Sequence, residues 1–114
     1  MLPNKMKLSE KAFISLRRLQ TNTGLTVNIG ARLAFFASLE TQHKYKNEVI
    51  DLKHRELDKH TWLGDQASIV EMLLTDRYPK LDKKSLYQAW ASHIDHGAGI
   101  LEVKPNLQAL TSMV

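Results

Sequence analysis

The sequence predicts a mainly α-helical fold: a compact domain of four to five helices whose N-terminal part follows a ribbon-helix-helix-like order. Three observations predict it. Apolar residues recur at helical spacing in four stretches, each opened by a capping residue or closed by glycine or proline. A single stretch, Lys5-Met6-Lys7-Leu8, alternates polar and apolar residues as a short strand does. No internal repeat or low-complexity segment interrupts the 114 residues, a length that suits one domain spanning 1–114.

After the strand, Ser9 is placed to cap a helix running to about Thr23. Ala12, Phe13, Leu16 and Leu19 fall in one arc of it, with Lys11 and Arg18 on the opposite face and Arg17 at the edge of the arc. Gly24 suits the left-handed residue that ends helices. Thr26 then caps a second helix that reaches Leu39 or Thr41. Its apolar residues, among them Val27, Ile29, Leu33, Phe35, Phe36 and Leu39, point nearly all round the axis, which predicts burial on every side. Subunit association would supply that cover, and a central core helix is the alternative. Gly30 costs this helix ~1 kcal/mol relative to alanine, so a neighbour is expected to approach its backbone closely.

Residues 42–61 read as a long connection holding a short strand or a turn of helix, with Tyr45, Val49, Leu52 and Leu57 as anchors. In Trp62-Leu63-Gly64-Asp65, Asp65 is the expected cap of a third helix and Trp62 a buried ring. That helix ends at Tyr78 before Pro79, with Ile69, Val70, Leu73 and Leu74 facing inward. A fourth starts near Asp82 and ends near Gly97, with Leu86, Ala89, Trp90, His93 and Ile94 on one side. Pro105 opens a last short turn through Leu110.

Composition narrows the function. The chain has no cysteine, which removes disulfides, thiolate metal sites and cysteine nucleophiles together. No signal peptide and no membrane-spanning run is visible, so the expectation is a soluble cytoplasmic domain. The net charge of +4 is unevenly spread. Residues 1–47 hold eight basic against two acidic side chains, whereas 48–114 hold eight against ten. Positive potential gathered on one part of the chain favours a polyanionic partner.

His93, Asp95 and His96 are the most enzyme-like cluster. Two histidines three apart on a helix can reach one metal ion, but no motif marks a third ligand. A packed, hydrogen-bonded His93 and a His96 favoured by the helix dipole account for the pattern better. Glycines 24, 30, 64, 97 and 99 form neither a phosphate loop nor a dinucleotide fingerprint, and no nucleophile elbow is present. The expectation is a protein without catalytic site, metal or cofactor.

Nucleic acid fits better. The turn Thr23–Asn28 brings free backbone N–H groups to the start of the second helix, where phosphate binds readily. Thr23, Gly24, Thr26 and Asn28 therefore enter the candidate DNA-binding set, with Arg17, Arg18 and Arg32 supplying charge nearby. Lys5, Lys7, Lys11, Lys44 and Lys46 complete it. A ribbon-helix-helix-like regulator, reading bases with Lys5 and Lys7 on a paired strand, is the competing expectation.

The chain also resembles the DndE family, the small subunit of the DNA phosphorothioation system. The resemblance rests on Met1-Leu2-Pro3-Asn4, Leu16-Arg17-Arg18-Leu19 and Thr23-Gly24-Leu25-Thr26, then on Glu56-Leu57-Asp58-Lys59 and Thr61-Trp62-Leu63-Gly64-Asp65. It closes on Ala89-Trp90-Ala91 and His93-Ile94-Asp95-His96-Gly97. It implies a helical tetramer without catalytic motif that binds double-stranded DNA, preferring nicked DNA, through basic surface. The sulfur chemistry would belong to partners: a cysteine desulfurase, an iron–sulfur sulfurtransferase-like protein and an ATPase. Absence of cysteine agrees with that division of labour.

Overall fold

The structure, a computed structural model, describes residue 2, residues 5–58 and residues 67–102. Strand β1 (Lys5–Leu8) leads into helices α1 (Glu10–Thr23) and α2 (Val27–Leu39). Strand β2 (His54–Asp58) follows, then α3 (Ala67–Arg77) and α4 (Lys83–Glu102). The fold is mainly helical, with four helices, as the sequence predicts. Trp62, Asp65 and the turn expected after Pro105 lie outside the described residues.

Local chemistry sets the helix ends. Ser9 Oγ accepts from the Ala12 N–H at 3.1 Å and caps α1. Gly24 closes the same helix with φ +81°, its N–H donating to Gln20 O at 2.8 Å. Thr26 Oγ1 caps α2 through the Ile29 N–H at 3.3 Å, and Asp82 Oδ1 caps α4 through the Ser85 N–H at 2.8 Å. At the other end of α2, the Arg77 guanidinium reaches over from α3. It donates to the carbonyls of Leu39, Thr41 and His43, each at 3.2 Å, and so satisfies the carbonyl of the helix's last residue and two in the segment that follows.

Helix α4 is the axis of the packing. It lies against α2 along most of their common length and against α1 on a neighbouring side. Trp90, Ile94, Ala98 and Leu101 of α4 are buried with Ala31, Ala34 and Phe35 of α2 and Leu16 and Leu19 of α1. Gly97 is where the helices come closest. A methyl group built there would lie 1.7 Å from Ala34 O, so only glycine fits. Gly97 is therefore not the helix stop that the sequence predicts, and α4 continues to Glu102. Gly30 meets its close neighbour within the same chain: an added methyl would lie 3.1 Å from Leu16 Cδ2 and 3.3 Å from Leu19 Cδ2.

The long connection contains the strand, and β2 pairs antiparallel with β1. Met6 faces Leu57 in this register, and Met6, Leu8 and Leu57 are buried. Lys5 and Lys7 point to the opposite, exposed face. The strand-helix-helix order thus holds, while β1 finds its partner in its own chain. Near its other edge, the Lys7 N–H donates to Tyr87 Oη of α4.

Three expectations need correction. Helix α2 buries one face, Val27, Gly30, Ala31, Ala34, Phe35 and Ser38, rather than its whole circumference. Ile29 is 41% exposed, and Leu33, Phe36 and Leu39 are only partly covered, because α1 and α4 approach from one side. In α3 the inward row is Val70, Leu74 and Arg77, so Ile69 turns outward at 47% exposure beside Met72 at 62%. Val49 is no anchor. It is 92% exposed because Ile50 is the residue held, its N–H and C=O bonded to the Gln88 side chain at 2.8 and 3.2 Å.

The Gly97 contact generates a contrast that thermal or urea unfolding will read. Gly97→Ala should cost more than ~3 kcal/mol or abolish folding, since a backbone carbonyl cannot move aside as a side chain can. Gly99→Ala, two residues on with nothing within 4 Å, should be neutral or stabilise by up to about 1 kcal/mol. Equal effects of the two substitutions would refute the close crossing.

Candidate nucleic-acid interface

The candidate DNA-binding residues fall into four groups on the surface. On α1, Lys11, Arg17 and Arg18 are exposed. Arg17 and Arg18 line a depression of about 690 Å³ with Phe13, Ile14, Thr21 and Glu102. The Arg17 guanidinium stands 5.8 Å from the centre of the Phe13 ring, a cation–π distance. Arg18 is engaged differently, bonded to Glu102 at 2.7 Å. Glu102 also accepts from Ser15 Oγ at 3.0 Å. The Arg18 hydrogen bond, then that from Ser15, holds the Glu102 carboxyl below its usual range, so it stays charged in front of the arginine.

The second group is the turn into α2. Thr23 Oγ1 donates to Leu19 O at 2.7 Å and accepts from the Leu25 N–H at 3.2 Å. Thr26 is occupied as the cap, and its carbonyl accepts from the Gly30 N–H at 2.8 Å. Both hydroxyls therefore shape the turn rather than point at a ligand. The N–H groups of the first two helical residues, Val27 and Asn28, remain without an acceptor inside the helix. Arg32 follows Asn28 by one turn and is half-buried.

Lys5 and Lys7 form the third group, on the outer face of β1. They border a cleft of about 400 Å³ with Ile50, Leu52, Lys84, Tyr87 and Gln88. Lys44 and Lys46 form the fourth, lining a depression of about 490 Å³ with Gln42, His43 and Glu48. Lys84 is absent from the sequence-derived set. The available signal was the pair Lys83-Lys84 directly after the capping Asp82, where positive charge opposes the helix dipole.

Behind the fourth group lies a buried polar cluster. The Tyr45 N–H donates to Tyr78 Oη at 2.8 Å, and that hydroxyl is 2.7 Å from His93 Nε2. His93 Nδ1 is 2.8 Å from Ser38 Oγ, which is also 2.9 Å from His96 Nδ1. A hydroxyl has one proton, so between these two histidines one Nδ1 donates and the other accepts. His43 stacks on His96 with centroids 4.2 Å apart, its Nε2 2.9 Å from Ser92 Oγ, which donates to Glu48 at 3.2 Å. His93 is fully buried and hydrogen-bonded, as the sequence predicts. Both its ring nitrogens are taken by hydroxyls, and among the described residues no group of three or more His, Cys, Asp or Glu side chains could hold a metal. Asp95 has a local role of the kind expected, accepting from Ser9 Oγ and so tying α4 to the cap of α1.

A profile of the family described as DNA sulphur modification protein DndE matches residues 5–109. The structure is similar to a crystal structure of DndE from Escherichia coli B7A, described as involved in DNA phosphorothioation modification. The TM-score is 0.83 at 44% sequence identity, covering 89% of this chain and 96% of that one. It is also similar to a glycine-to-lysine mutant of DndE, described as involved in DNA phosphorothioation. There the TM-score is 0.81 at 40% identity, covering 89% of this chain and 99% of that one. A comparison with curated proteins found no match.

The polar cluster makes stability depend on pH. Burial, reinforced by His43, Arg77 and His96, pushes the His93 ring down to about 3 from an ordinary 6.5. Burial and then His96 also lower His43. An unfolded chain protonates these histidines as pH falls below 6.5 while the folded one keeps His93 neutral, so stability is lost between about pH 6.5 and 3. From pH 8 to pH 5, His93 should contribute a loss of about 2 kcal/mol. Urea midpoints at the two pH values measure it, and His93→Gln should flatten the difference. An unchanged slope would show that His93 is not the group responsible.

Proposed function

The chain belongs to the DndE family, and we propose that it serves DNA phosphorothioation as a DNA-binding accessory subunit and not as an enzyme. It contacts the backbone of double-stranded DNA, nicked duplexes included, through basic surface of a cytoplasmic homo-oligomer, a tetramer. One observation carries this reading. Lys5, Lys7, Lys11, Arg17, Arg18, Lys44 and Lys46 are all exposed, on a chain whose family is described by DNA sulphur modification. Exposed lysines and arginines suit phosphate oxygens, which carry no sequence information. Among the described residues no helix is long and apolar enough to cross a membrane.

Two features support the finer points. Ile29 and the half-covered Leu33, Phe36 and Leu39 leave α2 with apolar surface that association of subunits would bury. The buried imidazoles have hydroxyl partners, and a chain without cysteine cannot carry a persulfide on a thiol. The sulfur chemistry then rests with the cysteine desulfurase, the sulfurtransferase-like protein and the ATPase. A ribbon-helix-helix-like sequence-specific regulator is less favoured, because β1 is paired with β2 of its own chain and Tyr87 meets Lys7 at its other edge.

A salt titration of binding to intact and nicked duplexes, with oligomeric state measured by light scattering, tests the proposal. Affinity should fall by at least ~100-fold between 50 and 200 mM salt, with little dependence on sequence. Arg17→Glu should weaken binding more than Arg18→Glu, whose parent arginine is already engaged by Glu102. Binding that ignores salt, or that survives both reversals unchanged, would remove the basis of the proposal.

A further inference from the structure

Glu102 stands where helix electrostatics do not favour it. It is the last residue of α4, whose carbonyl end repels negative charge, and no basic residue in that last turn offsets it. Its place is set instead by α1. Glu102 Oε1 accepts from Arg18 Nη1 at 2.7 Å, and Oε2 accepts from Ser15 Oγ at 3.0 Å. Ser15 is buried, and Lys11 adds a further positive charge nearby. Each carboxylate oxygen thus has its own donor, one from a guanidinium and one from a buried hydroxyl. The Arg18 and Glu102 side chains remain 67% and 34% exposed, in the depression that Arg17 also lines.

From this geometry we infer that Ser15 and Arg18 form a notch for a phosphate of the DNA backbone, which Glu102 occupies in the free chain and yields when DNA binds. This rests on the DNA-binding reading above. A guanidinium beside a hydroxyl is a donor pair that recognises carboxylate and phosphate oxygens alike. An exposed ion pair is held only weakly, so a competing anion displaces the carboxylate at small cost. The buried Ser15 hydroxyl then keeps an acceptor, since a phosphate oxygen takes over from the carboxylate. The exchange also lowers affinity, because the released carboxylate draws a cation from solution and repels the phosphates beside it. Glu102 is therefore a built-in competitor that limits how tightly this face of α1 holds DNA.

Fluorescence anisotropy with a labelled DNA duplex, using the full chain across a salt series, tests the assignment. Glu102→Gln removes the charge while keeping the size of the side chain and an acceptor for Ser15. It should tighten binding roughly three- to tenfold at about 0.1 M salt and steepen the log–log salt slope by up to about 1. Glu40→Gln, which removes an exposed carboxylate at the end of α2, should give a smaller gain. Arg18→Gln should cost more affinity in the Glu102→Gln background than in the wild-type chain. A wild-type chain that binds with a steep salt slope, beside a Glu102→Gln variant of equal or weaker affinity, overturns the inference and leaves the DNA-binding reading standing. So does a gain that Glu40→Gln matches, or one that survives Arg18→Gln in full, since net charge alone would explain either. A wild-type chain that binds no duplex overturns both.

Discussion

Helix α4 can lie against α2 only because Gly97 has no side chain where Ala34 presents its carbonyl. Glycine inside a helix is a local loss of up to about 1 kcal/mol, and the gain is close approach of two backbones. That approach sets the spacing one turn away along each helix, where Ser38 follows Ala34 and His93 precedes Gly97. Ser38 turns its hydroxyl toward two imidazoles there, those of His93 and His96. Here it reaches both at 2.8 and 2.9 Å. The buried hydrogen bonds are thus a consequence of the glycine contact, and they add specificity to it, since a rotated or shifted α4 would leave His93 buried without partners.

The same helix carries the influence outward to the surface. From the His93 ring the bonds run through Tyr78 to the backbone of Tyr45, at the start of the chain segment bearing Lys46. Arg77 holds the carbonyls at the end of α2, so the segment leaves that helix along a fixed path. Gln88 then fixes Ile50, and Tyr87 fixes Lys7. Surface lysines have long, mobile side chains, but the backbone beneath several of them is tied to one rigid helix. An interface of this kind presents charge at set positions without fixing the charged atoms, which suits contacts to phosphate rather than to base edges.

How much of this was legible in the sequence depended on range. Ser9, Gly24, Thr26 and Asp82 revealed the helix ends because caps act within three or four residues of themselves. Lys5–Leu8 was legible as a strand from its alternation, but its partner was not, since β2 lies in a charged segment without a clean pattern. Ile69 and Val49 point outward against expectation because apolar type says nothing about direction when a neighbouring residue, Val70 or Ile50, takes the inward place. Gly97 was the sharpest case. A glycine near the end of a periodic stretch has the chemistry of a stop and the chemistry of a close crossing, and only the position of Ala34 decides between them.

The candidate site shows the same limit in electrostatic form. Counted along the chain, positive charge belongs to residues 1–47 and the remainder is slightly acidic. Folding redistributes it. Glu102, from the acidic half, arrives at Arg18 and offsets part of the charge on α1. Lys84, from the same half, arrives beside Lys5 and Lys7, where the strand register also sets Asp58 and Glu56 opposite them. The places of Glu102 and Lys84 follow from one helix, whose first turn lies beside β1 and whose last residue reaches Arg18. The potential that a polyanion meets is a sum over space, weighted by distances of a few ångströms. A charge split along the sequence therefore does not fix where charge gathers on the folded surface, because residues far apart in the chain meet there and offset or reinforce one another.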